Sequence, residues 1–406
     1  MKEIKIAIIG AYPYNGNRGV GALSWSILFL LKKLEKEYNC SFKFFLLNPE
    51  YGNKQTDTFE IEKEKIDVTN VYPIDFFNIK SITKSFFFLP RIKRFLSQYK
   101  NVDFVLNVGA GDSFSDIYGK PRFFYFDNQS RMAFLLKKRV LFLPQTIGPF
   151  NDKKIKAKAI DTVEKCDTVL VRDKQSYDFL KENTKQKNIA EIVDMAFFMP
   201  YQKKTFSKEF IHVGLNVSAL LWYGGYTKDN QFNLTVDYPK LIRNIIDYFL
   251  SIPNVKLHLV SHVVNSDYHV ENDYAVSFHL TEEYSNDRLI LSPFFLTPIL
   301  AKNYIAGMDF FAGARMHAAI AAFSSKVPVY PMAYSRKFDG LFLDTLDYPY
   351  MSDMKVQTND EILNGIKSAF EKRDGLKTII QERMTGVVAE RKELLKKYLI
   401  DFLKLA

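Results

Sequence analysis

The chain has few of the features that define a secreted, membrane-spanning or metal-binding protein. It has only two cysteines among 406 residues, Cys40 and Cys166, which excludes a disulfide framework and any cysteine-rich metal site. No Cys/His spacing indicates zinc, and we expect no metal and a reducing, cytoplasmic environment. The longest uninterrupted apolar run of the first predicted helix, residues 27–31, is far shorter than the ~20 residues that cross a bilayer. The apolar segment that includes residues 4–9 is also too short for the core of a signal peptide.

Three common motifs of enzymes are also missing. Gly16, Gly19 and Gly21 lack the G-x-G-x-x-G spacing of a dinucleotide-binding loop. The sequence contains no P-loop and no G-x-S-x-G nucleophile turn. These absences remove the usual support for a dinucleotide-dependent enzyme, an NTPase or a serine hydrolase.

Positive charge and aromatic residues are abundant instead. The formal net charge is +10, with 36 Phe and 23 Tyr, and this balance favours acidic partners such as phosphates or anionic lipids. Because the lysines are spread along the chain, we expect no nucleic-acid partner. Within SFFFLPRIKRFLSQYK, Phe88, Ile92, Phe95 and Tyr99 share one helical face with basic residues around it. Such a helix either lies peripherally on the inner face of a membrane or packs against its own domain.

Short apolar strands alternate with amphipathic helices along most of the chain, which predicts an α/β protein built on parallel sheets. The predicted strands are residues 4–9, 42–47, 102–108, 140–143, 168–171, 189–193, 212–217, 255–260, 289–291, 308–313 and 327–330. We expect residues 50–100 to be irregular apart from the aromatic helix, and residues 200–208 to form a linker. The expected domains are 1–200, 201–375 and a helical tail, 376–406.

Polar residues follow many of the predicted strands, where the ligands of open parallel sheets bind. They are Asp112, Asp116, Gln145, Arg172, Asp173, Asp194, His262, Arg315 and His317. Several have a structural alternative: aspartates often cap turns and helices, and a strand-end histidine is often buried for packing. We favour the capping role for Asp116 and leave the alternatives open for Asp112, Arg172 and His262.

The stretch MDFFAGARMHAAIAAFSSKVPVYP predicts a strand, a tight turn, a helix and a second strand. Arg315 and His317 fall on the turn, beside the N-terminus of the helix, where free N–H groups favour anions. An arginine and a histidine at this position predict a phosphate or carboxylate site with proton-transfer capacity. The alternative is a surface arginine and a histidine that caps its own helix.

The segments LFLPQTIGPF, VRDKQSYDFL, LVSHV and GARMHAAIAAFSSKVPVYPMAYSRKFDG, together with Asp194, resemble the polysaccharide pyruvyl transferase family, in order along the chain. The early segment GNRGVGAL resembles that family's Asn-x-Gly-Asp-x-Ala loop, with Asn17, Gly19 and Ala22 in place. Val20 stands at the family's usual acidic position, which suggests altered acceptor contacts.

The resemblance implies two Rossmann-like domains facing a cleft, as in GT-B glycosyltransferases, with a C-terminal helix. It implies transfer of a pyruvyl group from phosphoenolpyruvate to two hydroxyls of a sugar, giving a cyclic ketal and phosphate, in capsule or exopolysaccharide biosynthesis. Residues 1–200 would be the acceptor side and 201–375 the donor side. The implied catalytic residues are His317 and His262. The implied substrate-binding residues are Arg315, Arg172, Gln145, Asn17, Asp112 and Lys337.

Three hypotheses follow for the function. The first is the ketal-forming transferase, with no cofactor besides its donor substrate and with a sugar acceptor that is free or lipid-linked. The second is a GT-B glycosyltransferase that uses a nucleotide-sugar, because one fold serves many reactions. The third is a saccharide-binding protein without catalytic activity. The basic aromatic segment and the net charge favour a lipid-linked acceptor.

Overall fold

The structure, a computed structural model, describes residues 3–48, 56–75, 77, 89–264 and 269–405. The chain divides into two compact units. The first unit comprises Met1–Pro13, Leu23–Phe198 and Arg391–Ala406, and the second comprises Tyr14–Ala22 and Met199–Glu390. The domains expected from the sequence are contiguous, and the two units are not. The loop at 14–22 belongs to the second unit, and residues 391–406 belong to the first.

The first unit contains an eight-stranded sheet, in which every adjacent pair is parallel except the outermost one. Its strands are β1 (Glu3–Ile9), β2 (Ser41–Leu47), β3 (Thr56–Ile61), β4 (Glu64–Val71), β5 (Phe104–Asn107), β6 (Arg139–Gln145), β7 (Thr168–Val171) and β8 (Ile189–Glu191). Their order is β3-β4-β2-β1-β5-β6-β7-β8. The central strands β1, β5, β6 and β7 are mostly apolar, as is typical of a sheet that helices cover on both faces.

The second unit contains a six-stranded sheet that is parallel throughout. Its strands are β9 (Ile211–Asn216), β10 (Val255–Leu259), β11 (Leu289–Leu291), β12 (Phe310–Gly313), β13 (Val329–Ala333) and β14 (Ser352–Asp353). Their order is β11-β10-β9-β12-β13-β14, the doubly wound Rossmann order. The chain reverses its direction of winding between β9 and β12, and ligands of such sheets bind outside the strand ends at this point.

Helices connect most of the strands. They are α1 (Arg18–Glu37), α2 (Leu89–Lys100), α3 (Lys120–Leu135), α4 (Lys153–Lys165), α5 (Lys174–Asn183), α6 (Ala219–Trp222), α7 (Tyr238–Ser251), α8 (Asp273–Tyr284), α9 (Pro298–Ile305), α10 (Met316–Ser324), α11 (Arg336–Phe338), α12 (Asn359–Glu371), α13 (Arg373–Thr385) and α14 (Val387–Leu403). A π-helix, Asp339–Thr345, follows α11. None of the helices in the described ranges is long and apolar enough to cross a membrane.

The prediction of irregular structure after residue 50 is wrong for residues 56–71. Strands β3 and β4 form an antiparallel hairpin at the edge of the sheet. Phe59, Ile61, Ile66 and Val68 are buried and alternate with polar residues that face solvent. This alternation is typical of a half-buried edge, and the many charges on its outer face hid it in the sequence.

The aromatic helix α2 buries two of its four predicted apolar residues. Phe95 and Tyr99 stack on each other with ring centroids 5.2 Å apart, and the Tyr99 hydroxyl donates to the Gln129 carbonyl oxygen at 3.3 Å. These two rings are therefore not available to a lipid surface. Phe88 lies outside the described residues, and peripheral membrane contact stays a prediction.

Candidate functional site

In the second unit, the Arg315–His317 turn directly follows β12, next to the central strand β9. The backbone N–H of Arg315 donates to the Asn216 side-chain oxygen at 2.9 Å, which joins the ends of the two strands. Helix α10 follows at once, and its run of alanines lets it pack closely against the sheet. The prediction of a strand, turn, helix and strand is therefore confirmed.

Arg315 forms a buried ion pair that its position in the sequence did not reveal. Its Nη2 donates to the Asp273 carboxylate at 2.7 Å, and its Nε lies 3.2 Å from the same group. Asp273 also accepts the backbone N–H groups of Ala219 and Val263. Burial alone would lower the pKa of Arg315, but the adjacent Asp273 raises it above its usual value. Arg315 is thus a charged, fixed residue, and one carboxylate already engages two of its nitrogens.

His262 follows β10 and is buried, with 3% of its surface exposed. Burial, and then electrostatic interactions with His317, Arg18 and Arg315, hold the pKa of His262 well below its usual range. Its imidazole is therefore neutral at pH 7. These three side chains accordingly lie near His262.

His317 is half-buried and packs against the backbone of Gly19. A Cβ atom added at Gly19 would lie 2.5 Å from the His317 Cγ, and it would overlap the ring nitrogen Nδ1 as well. Only glycine permits this approach without displacing the imidazole. The glycine of the N-terminal loop therefore defines where the histidine ring lies.

Asn17 holds the same loop in place as a helix cap. Its side-chain oxygen accepts the Gly19 N–H at 3.0 Å, in the first turn of α1. The loop is attached to the segment after β10 by two backbone bonds, from Arg18 N–H to the His262 carbonyl and from Val264 N–H to the Gly16 carbonyl. The structure thus brings Asn17 near both histidines, and the side-chain contact it shows is structural. Substrate binding by Asn17 stays a prediction.

Arg18 belongs to this cluster, although the sequence did not single it out. Only 5% of its surface is exposed, and burial lowers its pKa to about 10. It is still protonated at pH 7. No signal in the loop sequence distinguishes a buried arginine from an exposed one, because burial depends on the contact with residues 262–264.

Lys337 lies on the short helix α11, with its Nζ 5.9 Å from the centre of the Tyr334 ring. It is half-buried. Its role in substrate binding stays a prediction.

In the first unit, Arg172 follows β7 and forms a second buried ion pair. Its Nη1 donates to the Asp194 carboxylate at 2.6 Å and its Nε donates to the Thr146 hydroxyl at 2.8 Å. Burial would lower the pKa of Arg172, but Asp194, Asp112 and Asp173 raise it. The expectation of an open anion clamp does not fit an arginine that is 1% exposed, paired and surrounded by carboxylates.

Gln145 is fully buried at the end of β6, and its amide nitrogen donates to the Asn107 carbonyl oxygen at 3.0 Å. Its side-chain oxygen lies against Gly109, so closely that a Cβ there would overlap it. These contacts give Gln145 a packing role. They do not favour its predicted contact with a substrate.

Of the three aspartates after β5 and β7, two accept backbone N–H groups and the third, Asp112, accepts a hydroxyl. Asp116 accepts the backbone N–H groups of Asn151 and Asp152, which agrees with the favoured capping interpretation. Asp173 caps α5 by accepting the Ser176 N–H. Asp112 is half-buried and accepts the Tyr118 hydroxyl at 2.9 Å. Asp112 is therefore the predicted residue of this unit best placed to meet a hydroxyl group.

The structure shows the GT-B fold by its likeness to solved enzymes. A putative UDP-N-acetylglucosamine 2-epimerase from Listeria monocytogenes is 13% identical, with a TM-score of 0.62 over 99% of this chain and 97% of that one. The UDP-GlcNAc 2-epimerase from Neisseria meningitidis bound to UDP-GlcNAc is 10% identical, with a TM-score of 0.59 over 100% of both chains. The S. aureus MnaA–UDP structure is 14% identical, with a TM-score of 0.58 over 100% and 98%.

A second comparison identifies the family of the chain. The match to the polysaccharide pyruvyl transferase family covers residues 56–336. This range includes Asp112, Gln145, Arg172, His262, Arg315 and His317, whereas Asn17 and Lys337 lie outside it. Since the match covers more than half of the sequence, the chain belongs to the polysaccharide pyruvyl transferase family, and it is a transferase enzyme.

Proposed function

We propose that the enzyme transfers the pyruvyl group of phosphoenolpyruvate to two hydroxyls of one sugar and forms a cyclic ketal in surface polysaccharide biosynthesis. The observation that carries this proposal is the cluster after β10 and β12, where Arg315, His317 and His262 meet at the switch point of the sheet. Such a cluster suits a substrate that carries both a phosphate and a carboxylate, because cationic groups and charge-assisted hydrogen bonds favour each.

The first chemical step would be protonation of the methylene carbon of the donor by His317. This gives a methyl group and an oxocarbenium-like centre at the carbon that bears the phosphate. A sugar hydroxyl attacks that centre, and its proton returns to a histidine. Proton transfer by a positioned histidine typically contributes roughly 10²–10⁴-fold to a rate.

The second step would close the ring. The bond from the same carbon to the phosphate oxygen breaks, phosphate leaves, and the neighbouring hydroxyl adds to that carbon while its proton passes to the phosphate. The product carries one methyl group and one carboxylate on the ketal carbon. A bound trianion would offset the positive charges around His262 and raise its pKa, which would make it a better base in the complex.

Asp112 and the first unit would serve the acceptor. Asp112 is half-buried, and a carboxylate accepts sugar hydroxyls readily. A free sugar and a lipid-linked sugar both remain acceptors within this proposal, and greater activity on a polyprenyl-phosphate-linked sugar than on the soluble sugar would support the second. No metal takes part in the proposed steps, so EDTA should leave the rate unchanged.

The test is incubation with phosphoenolpyruvate and a panel of galactosides, glucosides and mannosamine derivatives. A ketal methyl singlet in the proton NMR spectrum, with one phosphate released for each, is the expected result and names the acceptor. The alternative is a glycosyltransferase, favoured by the shared fold with enzymes whose structures contain UDP or UDP-GlcNAc. Release of UDP from a nucleotide-sugar, without a ketal product from phosphoenolpyruvate, would contradict the proposal.

A further inference from the structure

Arg18 differs from the other buried arginines of the described chain in having no acidic partner. Arg172 is paired with Asp194 and Arg315 with Asp273, each at less than 3 Å. Arg18 forms no ion pair with any described residue, although only 5% of its surface is exposed. Its positive charge is therefore neither solvated by bulk water nor neutralised by the protein.

The hydrogen bonds of the Arg18 side chain are also incomplete. Its Nη1 donates to the Asn15 carbonyl oxygen at 2.8 Å, while its Nε is buried without a hydrogen-bond partner among the described residues. The guanidinium carbon lies 6.0 Å from the centre of the Phe294 ring. A ring face and one carbonyl compensate only a small part of the cost of removing a guanidinium from water.

The backbone keeps this unsatisfied group beside the catalytic histidines. Arg18 N–H donates to the His262 carbonyl oxygen at 3.0 Å, and the next residue, Gly19, packs against the His317 ring. The charge of Arg18 acts on the His262 imidazole, as does that of Arg315. Asp273 pairs with Arg315, whereas no described carboxylate pairs with the buried Arg18.

We propose that Arg18 is an anion-binding residue of the donor site and holds a phosphate or carboxylate group of the substrate next to His317. The inference rests on the proposed function for the identity of the donor, phosphoenolpyruvate, but the binding of an oxyanion by Arg18 does not depend on it. A bound oxyanion accepts from the buried Nε and neutralises the guanidinium. In the sequence, Arg18 lies between Asn17 and Gly19 of the N-terminal loop.

The test is isothermal titration of the full chain with inorganic phosphate, phosphoenolpyruvate and UDP. Arg18→Gln is expected to weaken phosphate and phosphoenolpyruvate binding by about tenfold or more, because a charged hydrogen bond is lost. The matched control is Arg243→Gln, which removes an exposed arginine of the same unit that pairs with Glu283 at 2.8 Å, and it should bind as wild type does. Wild-type affinity in Arg18→Gln, or no phosphate binding by the wild type, would overturn the proposal.

A second variant covers the case in which Arg18→Gln does not fold. Arg18→Lys keeps the charge but loses the planar fork, so we expect several-fold weaker binding with a retained salt dependence. Phosphate affinity equal to that of the wild type would overturn the proposal. In the ketal assay, either variant should raise KM for phosphoenolpyruvate more than it lowers kcat.

The outcomes separate this proposal from the proposed function. Phosphate binding that depends on Arg18, in a protein that makes no ketal, would support the anion-binding role and contradict the ketal-forming reaction. Ketal formation with an unchanged KM for phosphoenolpyruvate in the Arg18 variants would support the ketal-forming reaction and contradict the anion-binding role of Arg18. If UDP rather than phosphoenolpyruvate competes with phosphate, Arg18 binds the anion of a nucleotide donor.

Discussion

Each unit of the molecule buries an arginine–aspartate pair after its parallel strands, and the two pairs have different neighbours. Around Arg172 and Asp194 lie two further carboxylates, Asp112 and Asp173. Around Arg315 lie Arg18, His262 and His317, with Asp273 as the paired acid. The same local device is therefore surrounded by carboxylates in the first unit, and by a further arginine and two histidines, with Glu271 as a second acid, in the second. Because Arg18 forms no ion pair with a described residue, the second unit suits an anionic donor better.

The largest effect should come from removing the proposed acid in the second unit. His317→Gln is expected to lower the rate of ketal formation by roughly 10²–10⁴-fold, because the methylene carbon loses its proton donor. His279→Gln is the matched control, since His279 is exposed, with 70% of its side chain accessible. Measured rates within twofold of each other for the two variants would contradict the role of His317 as the acid. A protein that merely binds saccharide would keep its affinity in both variants.

The next largest effect should come from breaking the Arg172–Asp194 ion pair of the first unit. Asp194→Asn leaves Arg172 buried without its carboxylate and should lower the free energy of unfolding by about 3–5 kcal/mol. Asp178→Asn, which removes an exposed pair with Lys174, should cost less than about 1 kcal/mol. Trp25 lies in the first unit and Trp222 in the second. The fluorescence of variants that keep only one of these tryptophans therefore follows the unfolding of each unit in urea separately. If Asp194→Asn left the Trp25 transition unchanged, Arg172 would not have the structural role described.

As the pH falls, the second unit should lose stability before the first unit does. All six histidines follow residue 199. Burial, then electrostatic interactions with His212, Lys256 and Lys204, lower the pKa of His258 to about 3. An unfolded histidine has a pKa near 6.5, so the unfolded state binds the proton first as the pH falls.

The contribution of His258 to stability is therefore full above about pH 6.5 and is lost progressively between about pH 6.5 and pH 3. The buried His262 acts in the same direction. His258 also accepts or donates in a buried chain with His212 and Tyr304, at 2.9 and 2.7 Å. Urea midpoints of the Trp222 transition from pH 7.5 to pH 4 measure this slope, and His258→Asn should flatten it. A midpoint independent of pH would contradict the assignment.

The smallest effect concerns the contact that positions His317. Gly19→Ala adds a methyl group where the imidazole now lies, so we expect a loss of about tenfold in kcat from a displaced ring. Gly375→Ala is the control, because nothing lies within 4 Å of its added Cβ in helix α13. That change should stabilise the protein by roughly 0.5–1 kcal/mol and leave activity unchanged. Full activity in Gly19→Ala would show that the loop does not position the histidine.

The sequence predicted the parts of the fold that depend on local pattern. The strands at 168–171 and 289–291 and the Arg315–His317 turn follow from apolar runs that end in turn residues. The β3–β4 hairpin was missed because its exposed face is densely charged. Helix α8 was missed as well, although Asn272 caps it and its first residue, Asp273, organises the site.

The residues of the site were predictable only in part, because a partner in space leaves no trace in local spacing. Arg172 and Arg315 were recognised as arginines at strand ends, but their carboxylates, Asp194 and Asp273, are 22 and 42 positions away. Arg18 could not be recognised, since its burial follows from backbone bonds to the segment after β10. The sequence placed His262, Arg315 and His317 at strand ends, and the structure places them after β10 and β12, the two neighbours of β9.

Histidine NMR of the full chain tests the central claim, that the donor binds at the charged cluster of the second unit. With phosphoenolpyruvate added, the imidazole resonances of His262 and His317, assigned through His→Gln variants, should shift together and saturate. Those of the buried His258 and the exposed His279 should stay in place. Unchanged His262 and His317 resonances at a concentration of phosphoenolpyruvate that supports turnover would contradict the account.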